Sequence, residues 1–181
     1  GETLGENEVH RLRTRMGIVD PTLVRLVDRG VTTQGLTATG FFGNLTTHFD
    51  RPSQAQLKIA AELLAEVGLS DHLQQDVTTL SSGQRSRLWL ERALVHEPEL
   101  LILDEPTAVL TSHEARDLFK VMRDLVSGGR TVIFISHKLN EVLEVSDQIT
   151  VLRDGIHEIT RSAEGATPRE LARLMTGEER T

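Results

Sequence analysis

Cysteine is absent from this 181-residue sequence, which excludes disulfides, thiol nucleophiles and cysteine-ligated metals. Long hydrophobic runs are missing as well. The strongest apolar stretches, Leu100–Leu103 and Val132–Ile135, are a few residues each, whereas a bilayer-crossing helix needs about 20. Basic charge does not predominate: 20 Lys+Arg face 27 Asp+Glu, a formal charge of −7. That balance argues against a nucleic-acid backbone as the partner, and none is expected. No basic segment followed by an apolar one opens the chain as a secretory signal would. The seven histidines show no H-E-x-x-H metal spacing. Repeats and low-complexity tracts are also lacking. What is present, 38% apolar and 26% charged residues, is the composition of an ordinary folded domain. A cytoplasmic or cytoplasm-facing domain is expected. The chain opens at Gly1, and residues 1–7 carry no hydrophobic pattern of their own, so an N-terminal segment is expected to be missing.

Periodicity and capping signals divide the chain into elements. Met16–Val19 reads as a short strand stopped by Asp20-Pro21. A Gly- and Thr-rich stretch, 30–47, reads as short helix plus loop. Ser53 and Gln56 form a capping box opening a helix, with Ile59, Leu63, Leu64 and Val67 as its apolar positions before Gly68. A helix from about Gln84 to His96 follows Ser81-Ser82-Gly83, with Leu88, Leu90 and Leu94 as apolar contributors. Leu100–Leu103 is a strand by composition. Thr111 and Glu114 make a second capping box, and Leu118, Val121, Met122 and Leu125 mark the buried stripe of the helix that ends at Gly128-Gly129. Thr131–Ile135 is the next strand, and Leu139–Val145 a short helix. Gln148–Leu152 and Ile156–Ile159 form a hairpin across Asp154-Gly155, a type I′ turn signal. Pro168 opens a final helix over Arg169–Met175. Strand, helix and strand over residues 100–135 make a βαβ unit with parallel strands. Continuous apolar strands of this kind predict a sheet covered by helices on both faces.

That topology brings two polar segments to the carboxyl ends of neighbouring strands, the edge where open α/β sheets bind ligands. Four apolar residues precede Asp104 and Glu105, a Walker B pattern. A strand end can hold the first carboxylate where it positions Mg²⁺, often through water, while the second orients or deprotonates an attacking water. The alternative is two solvated acids that cap the next helix. His137, after the neighbouring strand, offers a hydrogen-bonding imidazole; its alternative is a surface loop histidine. Leu80-Ser81-Ser82-Gly83-Gln84 enters a helix with exposed N–H groups, hydroxyls and the positive dipole end, an anion site. Plain N-capping by Ser81 or Ser82 is the competing reading. On that helix Arg85 reads as solvated, and Arg87 and Arg92 either lie on a solvated face or add positive field.

Together these segments resemble the ATP-binding cassette (ABC) ATPase family. Leu80–Gln84 is similar to its LSGGQ signature, with Ser82 in place of the first Gly. Arg87 and Arg92-Ala93-Leu94 fit the helix that follows it. Leu100–Thr107, LLILDEPT, resembles the Walker B segment, and Ser136-His137 the switch-histidine motif. Order and spacing match over about residues 80–153. The resemblance implies an α/β fold, a P-loop NTPase-like parallel sheet core with a helical subdomain insert, incomplete at the N-terminus. Residues 1–181 would be part of one nucleotide-binding domain: 25–97 the helical and signature subdomain, 98–153 the Walker B to switch-histidine core, 154–181 a hairpin and helix. It also implies ATP and Mg²⁺, a second nucleotide-binding domain paired head to tail, transmembrane permease subunits, and a place at the inner face of the cell membrane. Ser81, Ser82, Gly83 and Gln84 would meet the partner's nucleotide, Asp104 would help hold Mg²⁺, Glu105 would polarise water, and His137 would contact the γ-phosphate.

The sequence departs from that pattern in three places. No G-x-x-x-x-G-K-[ST] loop occurs, which implies weak ATP affinity for the chain alone. The glutamine position of the Q-loop falls on Asp20-Pro21, and the D-loop aspartate is replaced within Ala108–Thr111, where Thr111 retains only the capping role. Cargo signals conflict. Ala108–Gly155 resembles cassettes of simple-sugar and nucleoside importers, and Gly40–Leu94 those of the molybdate or iron type. The rival functions are a non-transport ATPase of the same fold and a non-hydrolysing module that presents a signature motif.

Overall fold

The computed structural model describes residues 15–43 and 51–177. Residues 1–7, Phe49 and the end of the 30–47 stretch lie outside them. The chain divides into two units, Gly1–Ile133 and Phe134–Thr181.

In the first unit β1 (Met16–Val19) leads into a 3₁₀ turn, Pro21–Leu26. Asp20 opens that turn: its Oδ1 accepts from the Thr22 backbone N–H and hydroxyl, both at 2.7 Å. The short helix expected in the Gly-Thr stretch is α1 (Thr33–Ala38), N-capped by Thr32 and continued by a 3₁₀ turn, Thr39–Phe42. Then come α2 (Gln54–Glu66), α3 (Ser82–Leu94), β2 (Leu100–Asp104), α4 (Ser112–Ser127) and β3 (Thr131–Ile135). Both expected capping boxes, Ser53/Gln56 and Thr111/Glu114, are formed. Each satisfies helix-start donors that have no intrahelical acceptor.

Helices α1, α2 and α3 pack around Leu36, Leu64, Leu88 and Trp89, each at most 1% exposed. Such side chains contribute roughly 1.5–3 kcal/mol apiece. Ile59 departs from the expected stripe, being 42% exposed, because the buried seam of α2 runs one residue later, through Ala60 and Leu64. Trp89, which the apolar spacing of α3 passes over, is the largest buried side chain among the described residues. Beneath the helices β1 pairs parallel with β2, Met16↔Leu100 through Val19↔Leu103. Glycine is required at position 17, where a Cβ would lie 2.6 Å from the Ala93 carbonyl of α3.

The sheet order is β1-β2-β3, as a β2-α4-β3 crossover requires. Cover on both faces does not hold among the described residues. Val19, Leu101 and Leu103 are buried, but Ile18, Ile133 and Ile135 are 45–48% exposed. The alternation along β3 is that of a strand packed on one side, at the end of the strand order.

In the second unit α5 (Leu139–Val145), β4 (Gln148–Arg153), β5 (Ile156–Ser162) and α6 (Pro168–Thr176) follow. The hairpin turns through Asp154 (φ +53°) and Gly155 (φ +77°), the left-handed pair that a type I′ turn demands. Val142, Ile149, Val151 and Leu171 form this unit's own core. No described helix is long and apolar enough to cross a membrane.

Candidate functional site

Residues 81–84 open α3. Ser81 is extended (φ −64°, ψ 164°) and is the N-cap. Its Oγ accepts the Gln84 N–H at 3.2 Å, while Gln84 Oε1 accepts the Ser81 N–H at 2.8 Å. This third capping box has the same S-x-x-Q string as Ser53–Gln56, so it was legible, although only simple capping was expected there. Ser82 is exposed as the first helical residue. At Gly83 a Cβ would come within 2.3 Å of Glu114 Oε1. Thr111 orders that carboxylate: Glu114 Oε2 accepts its N–H and its hydroxyl, both at 2.9 Å. These two bonds hold the Glu114 carboxyl below its usual range. The signature-like turn thus rests against the start of α4, and the absence of a side chain at 83 permits the approach.

The arginines of α3 are largely structural. Arg85, expected in solvent, is half-buried and donates to the Leu80 carbonyl at 2.9 Å. Arg87 donates to the Val67 carbonyl at 2.9 Å. Arg92 lies on no solvated face: it is 7% exposed, donates to Thr39 Oγ1 at 3.1 Å and lies 5.3 Å from the Trp89 ring centroid. Desolvation lowers its pKa to about 10, which leaves it charged at neutral pH. The backbones of Met16 and Gly40 face the buried ring nitrogens of His96, and burial pushes that imidazole's pKa down.

Asp104 ends β2, half-exposed, on a rigid strand. Glu105 follows at φ +45°, a left-handed conformation that costs a non-glycine residue of order 1–3 kcal/mol. Its carbonyl accepts the Ala108 N–H at 3.1 Å, and its Oε2 is out of contact with solvent. The strain turns the chain sharply after the strand. Ala108–Thr111 leads directly into α4, where Thr111 caps as expected. At the Q-loop position, Asp20 serves its own 3₁₀ turn. Ser136 and His137 follow β3 and belong to the second unit; Ser136 Oγ accepts the Lys138 N–H at 3.1 Å, and His137 is exposed. Among the described residues no three or more His, Asp or Glu side chains gather as a metal cage.

A parallel βαβ sheet under a helical layer, with an acid pair at a strand end and a capped Ser-Ser-Gly turn, belongs to the α/β P-loop NTPase-like class. Two solved structures share that fold. One is a metal-chelate-type ABC transporter in an inward-facing conformation (TM-score 0.75, 21% identity, 90% of this chain and 64% of that one). The other is a dimeric ATP-binding cassette in a post-hydrolysis state bound to ADP and Pi (TM-score 0.71, 22% identity, 87% and 67%). A family model described as ABC transporter matches residues 1–108, and the chain belongs to that family. Among its curated relatives, the ribose import ATP-binding protein RbsA 3 of Rubrobacter xylanophilus is 39% identical over 126 residues, 70% of this chain and 26% of the relative. The xylose import ATP-binding protein XylG of Escherichia coli K12 is 42% identical over 142 residues, 78% and 28%. The chain spans about a quarter of the length of these relatives.

Proposed function

We propose that this chain is the signature-to-switch part of an ATP-binding subunit that powers sugar import. The observation that carries the reading is Glu105: a carboxylate placed by a strained residue immediately after a strand, with one oxygen withdrawn from solvent. That is the placement of a group meant to orient one water rather than to be solvated. In the proposed reaction a water oxygen bonds to the γ-phosphorus of ATP while the bond to the β–γ bridging oxygen breaks. Glu105 accepts the water's proton. His137 hydrogen-bonds the γ-phosphate, and Ser81, Ser82, Gly83 and Gln84 meet the nucleotide held by a second, head-to-tail cassette.

Asp104, a carboxylate held at the end of a strand, is the hard oxygen donor that would help hold a Mg²⁺. The ion supplies neutralisation of phosphate charge. The partners are a second cassette and permease subunits at the cytoplasmic face of a membrane. Residues 25–97, 98–153 and 154–181 serve as signature subdomain, reaction edge and flanking hairpin. The relatives' names favour a sugar cargo over the molybdate or iron type.

The test is Glu105→Gln in this chain fused behind a Walker A segment. ATP turnover should fall roughly hundredfold or more while ATP still drives pairing. Normal hydrolysis by the variant would remove Glu105 from the role of base.

A further inference from the structure

We propose that His72 is a positioning residue that locks the signature turn through a one-directional relay of hydrogen bonds; the purpose of the lock rests on the signature reading above. The relay begins at the turn. The Ser81 N–H donates to Gln84 Oε1 at 2.8 Å, which fixes which end of that amide is oxygen. Gln84 Nε2 is therefore the NH₂ group, and it lies 2.9 Å from His72 Nε2. Two donors cannot bond each other, so His72 Nε2 is the acceptor and the ring proton sits on Nδ1. Nδ1–H then donates to Gln75 Oε1 at 2.6 Å. Gln75 Nε2 donates to Thr79 Oγ1 at 2.8 Å, and that hydroxyl donates to the Asp76 carbonyl at 2.7 Å. Every donor meets an acceptor in one direction, from position 81 to position 76.

The far end is anchored. The Gln75 carbonyl accepts the Thr33 N–H at 2.9 Å and the Thr33 hydroxyl at 3.0 Å, which ties the relay to buried α1. At the near end Ser81 and Ser82 are themselves exposed. A half-buried imidazole in the connector thus sets the side-chain amide of Gln84 and, through it, the first turn of α3. Linked bonds of this kind reinforce one another.

The experiment uses the intact chain. Nitrogen-15 spectra of the His72 ring at about pH 8 should show the Nδ1–H tautomer; an Nε2–H ring overturns the proposal without any substitution. His72→Phe keeps a flat ring but removes the acceptor, and exchange of the Ser81 amide hydrogen should rise roughly five- to tenfold. His72→Gln offers Oε1 to the Gln84 amide and should restore exchange to within about twofold of the original. Unchanged exchange in the Phe variant, or no rescue by Gln, overturns the lock. None of these readouts needs nucleotide, so they can fail independently of the signature reading. That reading is tested by Ser82→Arg in the Walker A fusion, which should abolish ATP-dependent pairing. If pairing survives Ser82→Arg, the signature reading fails whatever His72 does.

Discussion

Glu91 offers the most exposed test of how α3 is held. It is 8% exposed and stands on the helix that carries the signature turn. Burial, and secondarily the charge of Glu66, raise its pKa from 4.5 to about 7. The folded protein therefore keeps a proton that the unfolded chain releases. The linked stability is complete below pH 4.5 and is lost as pH rises through about 7. A shift of that size corresponds to at most about 3 kcal/mol, and partial hydration of the carboxyl brings the expected value to about 2. Glu91→Gln keeps the shape and removes the charge. Urea unfolding followed by Trp89, the only tryptophan in the chain and two residues away, reports the first unit. The variant should exceed the parent by about 2 kcal/mol at pH 8 and match it within about 0.5 at pH 5. His96 acts in the opposite sense, its lowered pKa removing stability as pH falls past its ordinary 6.5. Both proteins share that loss, so the difference between them is unaffected. An equal difference at both pH values, or a Gln variant weaker at pH 8, would refute the assignment of a proton to buried Glu91.

Two further substitutions test close packing. Gly83→Ala should displace Glu114 and cost about 1 kcal/mol, the value of a lost cap. Because Glu114→Ala already surrenders that cap, the double variant should cost no more than Glu114→Ala alone; strict additivity in denaturant melts would show that the two residues do not touch. Gly40→Ala places a Cβ 2.1 Å from the Arg92 carbonyl and 2.6 Å from Val95 Cγ1, so it should destabilise the first unit by about 2 kcal/mol or more. A change under about 0.5 kcal/mol would contradict that packing.

The features legible in the sequence and those that were not differ in the range of the forces that make them. Capping at Ser53 and Thr111, the left-handed turn at Asp154-Gly155, the strands at Leu100 and Thr131 and the crossover between them were readable in the chain. Each depends on bonds within a few residues or on an apolar period, and both are visible as spacing. So was the family, because LSSGQ, LLILDEPT and SH are local strings in a set order. What the sequence left open depended on residues brought together from far apart. Arg92 stood open between a solvated face and a source of positive field until Thr39 and Trp89 were seen around it. Gly83 looked like a motif letter until Glu114 was found against it, and nothing in the string linked His72 to Gln84. Cover on both faces of the sheet was inferred from composition, whereas among the described residues Ile18, Ile133 and Ile135 stay exposed. Local hydrogen bonds and periodic burial are written in neighbouring residues, whereas desolvation of a charge and contact across helices exist only once the chain has packed.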